Sequence, residues 1–192
     1  MSTVFFDIDT QLDFLYPAGA LYVPGGERVL PAISRLSRHA ASHGIPVVST
    51  TDAHTENDPE FRSWPPHCVA GTAGQHKAAD TLIERHAVIP NRPCPLVLEG
   101  AAQIILEKQH VDAFTARNLP RLLELLRADR YVVYGVVTEI CVLNAARGLL
   151  KTGKPVVVVT DAVETLNPAD SARALDEIVA AGGSLARTSD FC

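Results

Sequence analysis

Four short valine-rich hydrophobic runs punctuate the chain, at residues 3–8, 46–51, 131–136 and 155–160. Each is apolar almost without alternation, the pattern of a strand buried on both faces. Weaker runs at 86–89, 103–106 and 184–188 can supply further strands. Between the runs the hydrophobic period lengthens to about 3.6 residues, the helical repeat. Residues 27–42 place Val29, Leu30, Ile33, Leu36 and Ala40 on one stripe, and Gly44 supplies a stop. Residues 119–128 repeat the pattern with Leu122, Leu123, Leu125 and Leu126, and residues 139–151 and 168–181 do so again. Asn167 reads as the N-cap of the last helix, with Pro168 at its first position. Strand and helix in alternation predict a three-layer α/β/α sandwich with a mostly parallel sheet and right-handed crossovers. No repeat or low-complexity linker divides residues 1–192, so a single domain is expected. Residues 51–79 break the alternation, being polar and carrying three histidines. A loop of that length in a compact domain is functional or mobile.

Composition narrows the function. A chain of 192 residues with 47% hydrophobic residues can build one core. The formal net charge of −5 offers no basic field for phosphates, so no nucleic-acid partner is expected. No apolar run approaches the length of a membrane span, and the opening MSTVFFDIDTQLDF lacks the basic and apolar regions of a signal peptide. A cytoplasmic protein with no membrane partner is the expectation. The four cysteines then read as thiols, and no CxxC pair suggests a zinc knuckle or redox site. GxGxxG and P-loop motifs are absent. His39, His43, His76, His86 and His110 have no partners by spacing and read as surface or structural residues.

Open α/β sheets bind ligands beyond the carboxyl ends of their strands, and that rule selects residues. Asp7 and Asp9 end the first run, Asp52 and His54 the second, and Lys108 follows the 103–106 run. Asp161 ends the 155–160 run. Cys141 follows residues 131–136 in the first turn of a helix, where free N–H groups favour a thiolate and can receive an oxyanion. Cys141 is therefore a candidate nucleophile. Asp9 is a candidate general base and acid, and Lys108 a candidate stabiliser of the thiolate. Asp7, two residues from Asp9, is expected on the same face and competes for its role. Asp52 and His54 stand two apart on an extended chain, and His67 can return to complete an Asp/His/His set for zinc, manganese or ferrous iron. Glu60 or Asp58 can add a fourth ligand.

DTQLDF with PAGALYVPGGE, TDAH, WPPHC, EKQHVDAF and GVVTEICVLNAA together resemble the isochorismatase-like cysteine hydrolases, and among them the nicotinamidase (pyrazinamidase) branch. The resemblance runs from Val4 to about Val163. It implies Asp9, rather than Asp7, as the acid/base, with Lys108 and Cys141 completing a triad. It implies Asp52, His54 and His67 as metal ligands and Glu60 as the candidate fourth, Asp58 being the reserve. One divalent metal ion is implied, zinc first, with manganese or iron as alternatives. A non-proline cis peptide between Val136 and Val137 is implied, with the N–H groups of Val137 and Cys141 as the oxyanion hole. Phe14 and Trp64 are implied to line a pocket for a small planar amide, and relatives imply a homodimer or homotetramer. The activity so implied is hydrolysis of nicotinamide to nicotinic acid and ammonia. Hydrolysis of another amide, carbamoyl or vinyl-ether substrate is the nearest alternative, and a catalytically silent binding module belongs to a different class.

Overall fold

A computed structural model describes residues 2–192. Among them, seven strands form one sheet, paired parallel throughout: β1 (Thr3–Ile8), β2 (Val47–Asp52), β3 (His86–Ile89), β4 (Gln103–Lys108), β5 (Arg130–Val136), β6 (Val156–Glu164) and β7 (Ser184–Ala186), in the order β3-β4-β2-β1-β5-β6-β7. The helices are α1 (Leu12–Leu15), α2 (Leu30–His43), α3 (Leu119–Leu126), α4 (Leu143–Leu150) and α5 (Pro168–Ala180).

The near-continuous apolar runs have their cause in two cores, one on each face of the sheet. Val4, Phe6 and Ile8 of β1 join Val48, Ile104 and Val133 under α3, α4 and α5. Phe5, Val47, Val132 and Tyr134 point the other way, against Leu30, Ile33, Leu36 and Ala40 of α2. Strand residues facing both ways must be apolar, and the result is the expected three-layer α/β/α sandwich. No helix among the described residues is long and apolar enough to cross a membrane.

Three expectations are corrected. The helix expected over 27–42 is a 3₁₀ turn (Gly26–Val29) followed by α2, and that expected over 139–151 opens as a π turn (Thr138–Val142) before α4. The strand expected to stop at residue 160 continues to Glu164, because the register of β5 and β6 shifts between Val133 and Gly135. Residues 51–79 are built from short turns, with isolated bridges joining His54 to Val69 and Gln11 to Lys77.

Candidate active site

Strands β2, β4 and β3 lie to one side of β1, and β5, β6 and β7 to the other. Connections therefore diverge at β1, and a crevice opens at its carboxyl end. An open pocket lies in that crevice, lined by Asp9, Asp52, Glu60, His67 and Cys141 among apolar neighbours.

Asp9 is the first residue past β1, and its φ of 51° is left-handed. This turn ends the strand alternation, so Asp7 and Asp9 do not share a face as the two-residue spacing suggested. Asp7 accepts hydrogen bonds from Thr10 Oγ1 at 2.9 Å and Ser49 Oγ at 3.2 Å, with Lys77 Nζ at 2.7 Å. Asp9 instead accepts from Thr50 Oγ1 at 2.6 Å and has Lys108 Nζ at 2.9 Å. Lys108, the last residue of β4, is fully buried, and its Nζ also donates to Asp52 Oδ1 at 2.5 Å. One ammonium thus bridges the carboxylates of two strands.

Burial pushes the Asp9 carboxyl up, against the opposing pull of Lys108. For Lys108 burial works against the charge, but Asp52 and Asp9 outweigh it and the pKa rises well above its ordinary value. Asp52 is also opposed by burial, yet Lys108, His54 and His67 hold its carboxyl far below the usual range. Cys141 is buried, and burial lifts its thiol well above 9.0, with Lys108 opposing and Asp9 reinforcing the shift. The direction is opposite to that expected of a helix-terminal thiolate: Cys141 sits in a π turn, and burial there favours the protonated thiol.

The peptide between Val136 and Val137 is cis, and both residues line the pocket. Ile140 and Val142 each donate their N–H to Val137 O at 3.1 Å, so neither can serve an oxyanion.

Asp52, His54 and His67 each present a ligand atom, all within 4.8 Å of one another. The Nε2 atoms of His54 and His67 both lie 3.8 Å from Asp52 Oδ2, the oxygen Lys108 leaves free. His67 Nδ1 lies 2.8 Å from the Pro65 carbonyl, which makes Nδ1–H the donor and turns the Nε2 lone pair inward. His54 Nε2 is buried without a hydrogen-bond partner. An unpartnered imidazole nitrogen facing a carboxylate and a second imidazole fits a divalent cation. Asp58, the reserve ligand, caps a turn through Glu60 N at 3.0 Å and stands behind His54, with Oδ2 3.2 Å from Nδ1. Glu60 lines the pocket with a buried, unpartnered Oε2, outside the three-residue cluster. Phe14 and Trp64 also line the pocket, Phe14 with its ring centroid 5.4 Å from that of His67.

The family model described as the Isochorismatase domain matches residues 3–190. The chain belongs to the isochorismatase family. The nicotinamidase of Escherichia coli (strain K12) is 28% identical to this isochorismatase-family hydrolase over 96% of this chain and 94% of the relative. A solved pyrazinamidase of Pyrococcus horikoshii in complex with zinc is 30% identical, with a TM-score of 0.81 over 97% of this chain and 99% of that one. PnC1 from L. infantum, solved in complex with nicotinate, is 29% identical, with a TM-score of 0.78 over 98% and 93%.

Two residues that tie the pocket's segments together carry no signal readable by charge or period. Gln11 accepts from Asp52 N at 2.7 Å and donates to Asp52 O and Gln75 O, each at 2.8 Å, so it ties the β2 end to the 51–79 segment. Asp13 accepts from Cys68 N at 2.7 Å and Ala20 N at 2.9 Å, which fixes the chain beside His67. Asp161, placed on the rim by its strand, lies outside the pocket; its Oδ1 accepts from Thr188 N at 2.8 Å and Oγ1 at 3.0 Å.

Proposed function

We propose that this isochorismatase-family hydrolase is an amidohydrolase that converts nicotinamide to nicotinic acid and ammonia through a Cys141 thioester. The observation carrying this reading is that Asp9 and Cys141 line one apolar pocket with Asp52 and His67, while Lys108 bridges Asp9 to Asp52. The named relatives above support the same substrate class.

Asp52, His54 and His67 would hold a divalent ion, with Glu60 as the added ligand. Such an ion would supply a Lewis-acidic anchor for the substrate ring when bound. Phe14 and Trp64 flank the space that a flat ring would take. The Cys141 sulfur attacks the amide carbon as its proton passes to Asp9, and the carbonyl electron pair moves onto oxygen. The N–H groups of Val137 and Cys141 receive that oxyanion. As the tetrahedral intermediate collapses, the C–N bond breaks and Asp9 gives its proton to the leaving nitrogen, releasing ammonia. Water then attacks the thioester carbon while Asp9 takes a water proton. The C–S bond breaks, the acid leaves, and the proton returns to sulfur. Lys108 keeps its charge throughout and holds Asp9 and Asp52 in register.

The test is ammonia release from nicotinamide and from a panel of aliphatic amides, carbamoyl and ureido compounds, compared by kcat/KM on protein reconstituted with zinc. Nicotinamide should lead the panel, and a different leader would reassign the substrate. Cys141→Ala should lower turnover at least about 10³-fold while nicotinic acid still binds; near-normal turnover by that variant would defeat the thioester route. His54→Ala should lose bound zinc by elemental analysis, with or without activity.

A further inference from the structure

The turn that carries Cys141 holds a second segment of the pocket. Glu139 lies two residues before the nucleophile, and its side chain reaches the 165–167 loop between β6 and α5. Its Oε1 accepts from Leu166 N at 2.9 Å and Asn167 N at 3.1 Å, and its Oε2 from Thr165 Oγ1 at 2.7 Å. Thr138 adds a bond from its Oγ1 to Glu164 O at 2.9 Å. Downstream, Asn167 caps α5 by accepting from Ala169 N at 2.9 Å. The loop is therefore fixed at both ends, and one carboxylate accepts from three of its donors.

Among the described residues, Leu166 alone lines the pocket from this part of the chain, beside Val136, Val137, Ile140 and Cys141. It is 42% exposed and belongs to neither apolar core. Its two flanking neighbours supply hydrogen bonds, and its side chain stands at the mouth of an apolar pocket.

We propose that Leu166 is a specificity-determining wall of the amide site, held in place by Glu139 acting as a positioning residue. The substrate class this wall selects is a small amide whose acyl group is flat and carries no bulky substituent on the side facing Leu166. This rests on the amidohydrolase reading for its substrates, but the wall itself can be probed without turnover.

The experiment follows Cys141 alkylation by mass spectrometry of its own peptide, with iodoacetamide and the bulkier N-phenyl iodoacetamide, at mildly alkaline pH. Truncating a half-open side chain leaves the core intact, so Leu166→Ala should fold. It should raise the bulky-to-small rate ratio at least about fivefold, the scale on which a few methylenes in an apolar pocket discriminate. Glu139→Ala should raise the ratio in the same direction, and Glu139→Gln, which keeps an acceptor for both N–H groups, should restore most of the wild-type value. In parallel, kcat/KM for ring-methylated nicotinamides relative to nicotinamide should rise at least about fivefold in Leu166→Ala for one or more positional isomers. An unchanged alkylation ratio in Leu166→Ala overturns the wall. A changed ratio in an enzyme that does not hydrolyse nicotinamide keeps the wall and rejects the substrate. Equal effects of Glu139→Gln and Glu139→Ala overturn the positioning role.

Discussion

Cys141, Asp9 and Lys108 form a site in which one buried ammonium faces two carboxylates before any substrate arrives. Lys108 has carboxylate oxygens of Asp9 and Asp52 at 2.9 and 2.5 Å, so its single charge is shared between two acids. Burial, reinforced by Asp9 and Asp52 against the pull of Lys108, pushes the Cys141 thiol up. A free thiolate poised for attack would need the opposite balance. The sign of the shift gives a measurable consequence: alkylation of Cys141 by iodoacetamide in the resting protein should climb with pH through neutrality and still be rising at about pH 9, above the ordinary thiol range. A plateau reached near about pH 7 would show a resting thiolate and would remove the need for Asp9 to take the first proton.

At the scale of elements, the site depends on how tightly β1 and β5 approach where both end. Gly135 has a φ of 120°, and a Cβ there would lie 2.1 Å from Ile8 O and 2.6 Å from Ile8 N. Those are backbone atoms of the strand that delivers Asp9, so they cannot step aside without parting the two strands. Gly135→Ala should therefore lower the melting temperature by about 10 °C or more, or prevent folding, and calorimetry would decide; a near-wild-type transition would mean the strands can separate there at little cost. The strands themselves were readable, since burial on both faces leaves an unbroken apolar run. Their ends were less so. The run at 155–160 stops at a polar residue, but β6 goes on to Glu164 across a register shift opposite Gly135, with Asp161 satisfied by Thr188. Asp7 and Asp9 could not be told apart by spacing, because the left-handed turn at Asp9 is a property of the backbone and not of residue type. Lys108 was legible as a candidate by its strand end and by resemblance, but not as a buried ammonium, a lysine at a strand end being an ordinary surface residue by composition. Gln11 and Asp13 gave no signal at all, since their work is hydrogen bonding to backbone reached by the tertiary fold. The Asp52, His54 and His67 set was legible from residue chemistry, and the fold brings it together.

Across the molecule, two buried ion-paired clusters stand out among the described residues near the β1 terminus. The Asp9–Lys108–Asp52 group faces the pocket, whereas Asp7 and Lys77 lie in a separate polar cluster with Thr10, Ser49, Thr81 and Gln103. Lys77 Nζ lies 2.7 Å from Asp7 Oδ2 and 2.5 Å from Thr10 Oγ1, and it fastens the end of the 51–79 segment under the sheet. Asp7 is fully buried, so Lys77→Met would leave its carboxylate without a counter-charge. Removing one partner of a buried pair costs about 3–5 kcal/mol, which in a domain of this size is a fall of about 10 °C in melting temperature. Neutralising both groups in Asp7→Asn/Lys77→Met should recover most of that loss, because Thr10 and Ser49 hydroxyls can still bond the amide. Neither residue lines the pocket, so kcat/KM measured well below the transition should stay within about threefold of wild type in the double variant. If the double variant is no more stable than Lys77→Met, the pair is not the source of the loss. If it folds well but loses activity, the two clusters communicate through β1, and the separation drawn by the turn at Asp9 is incomplete.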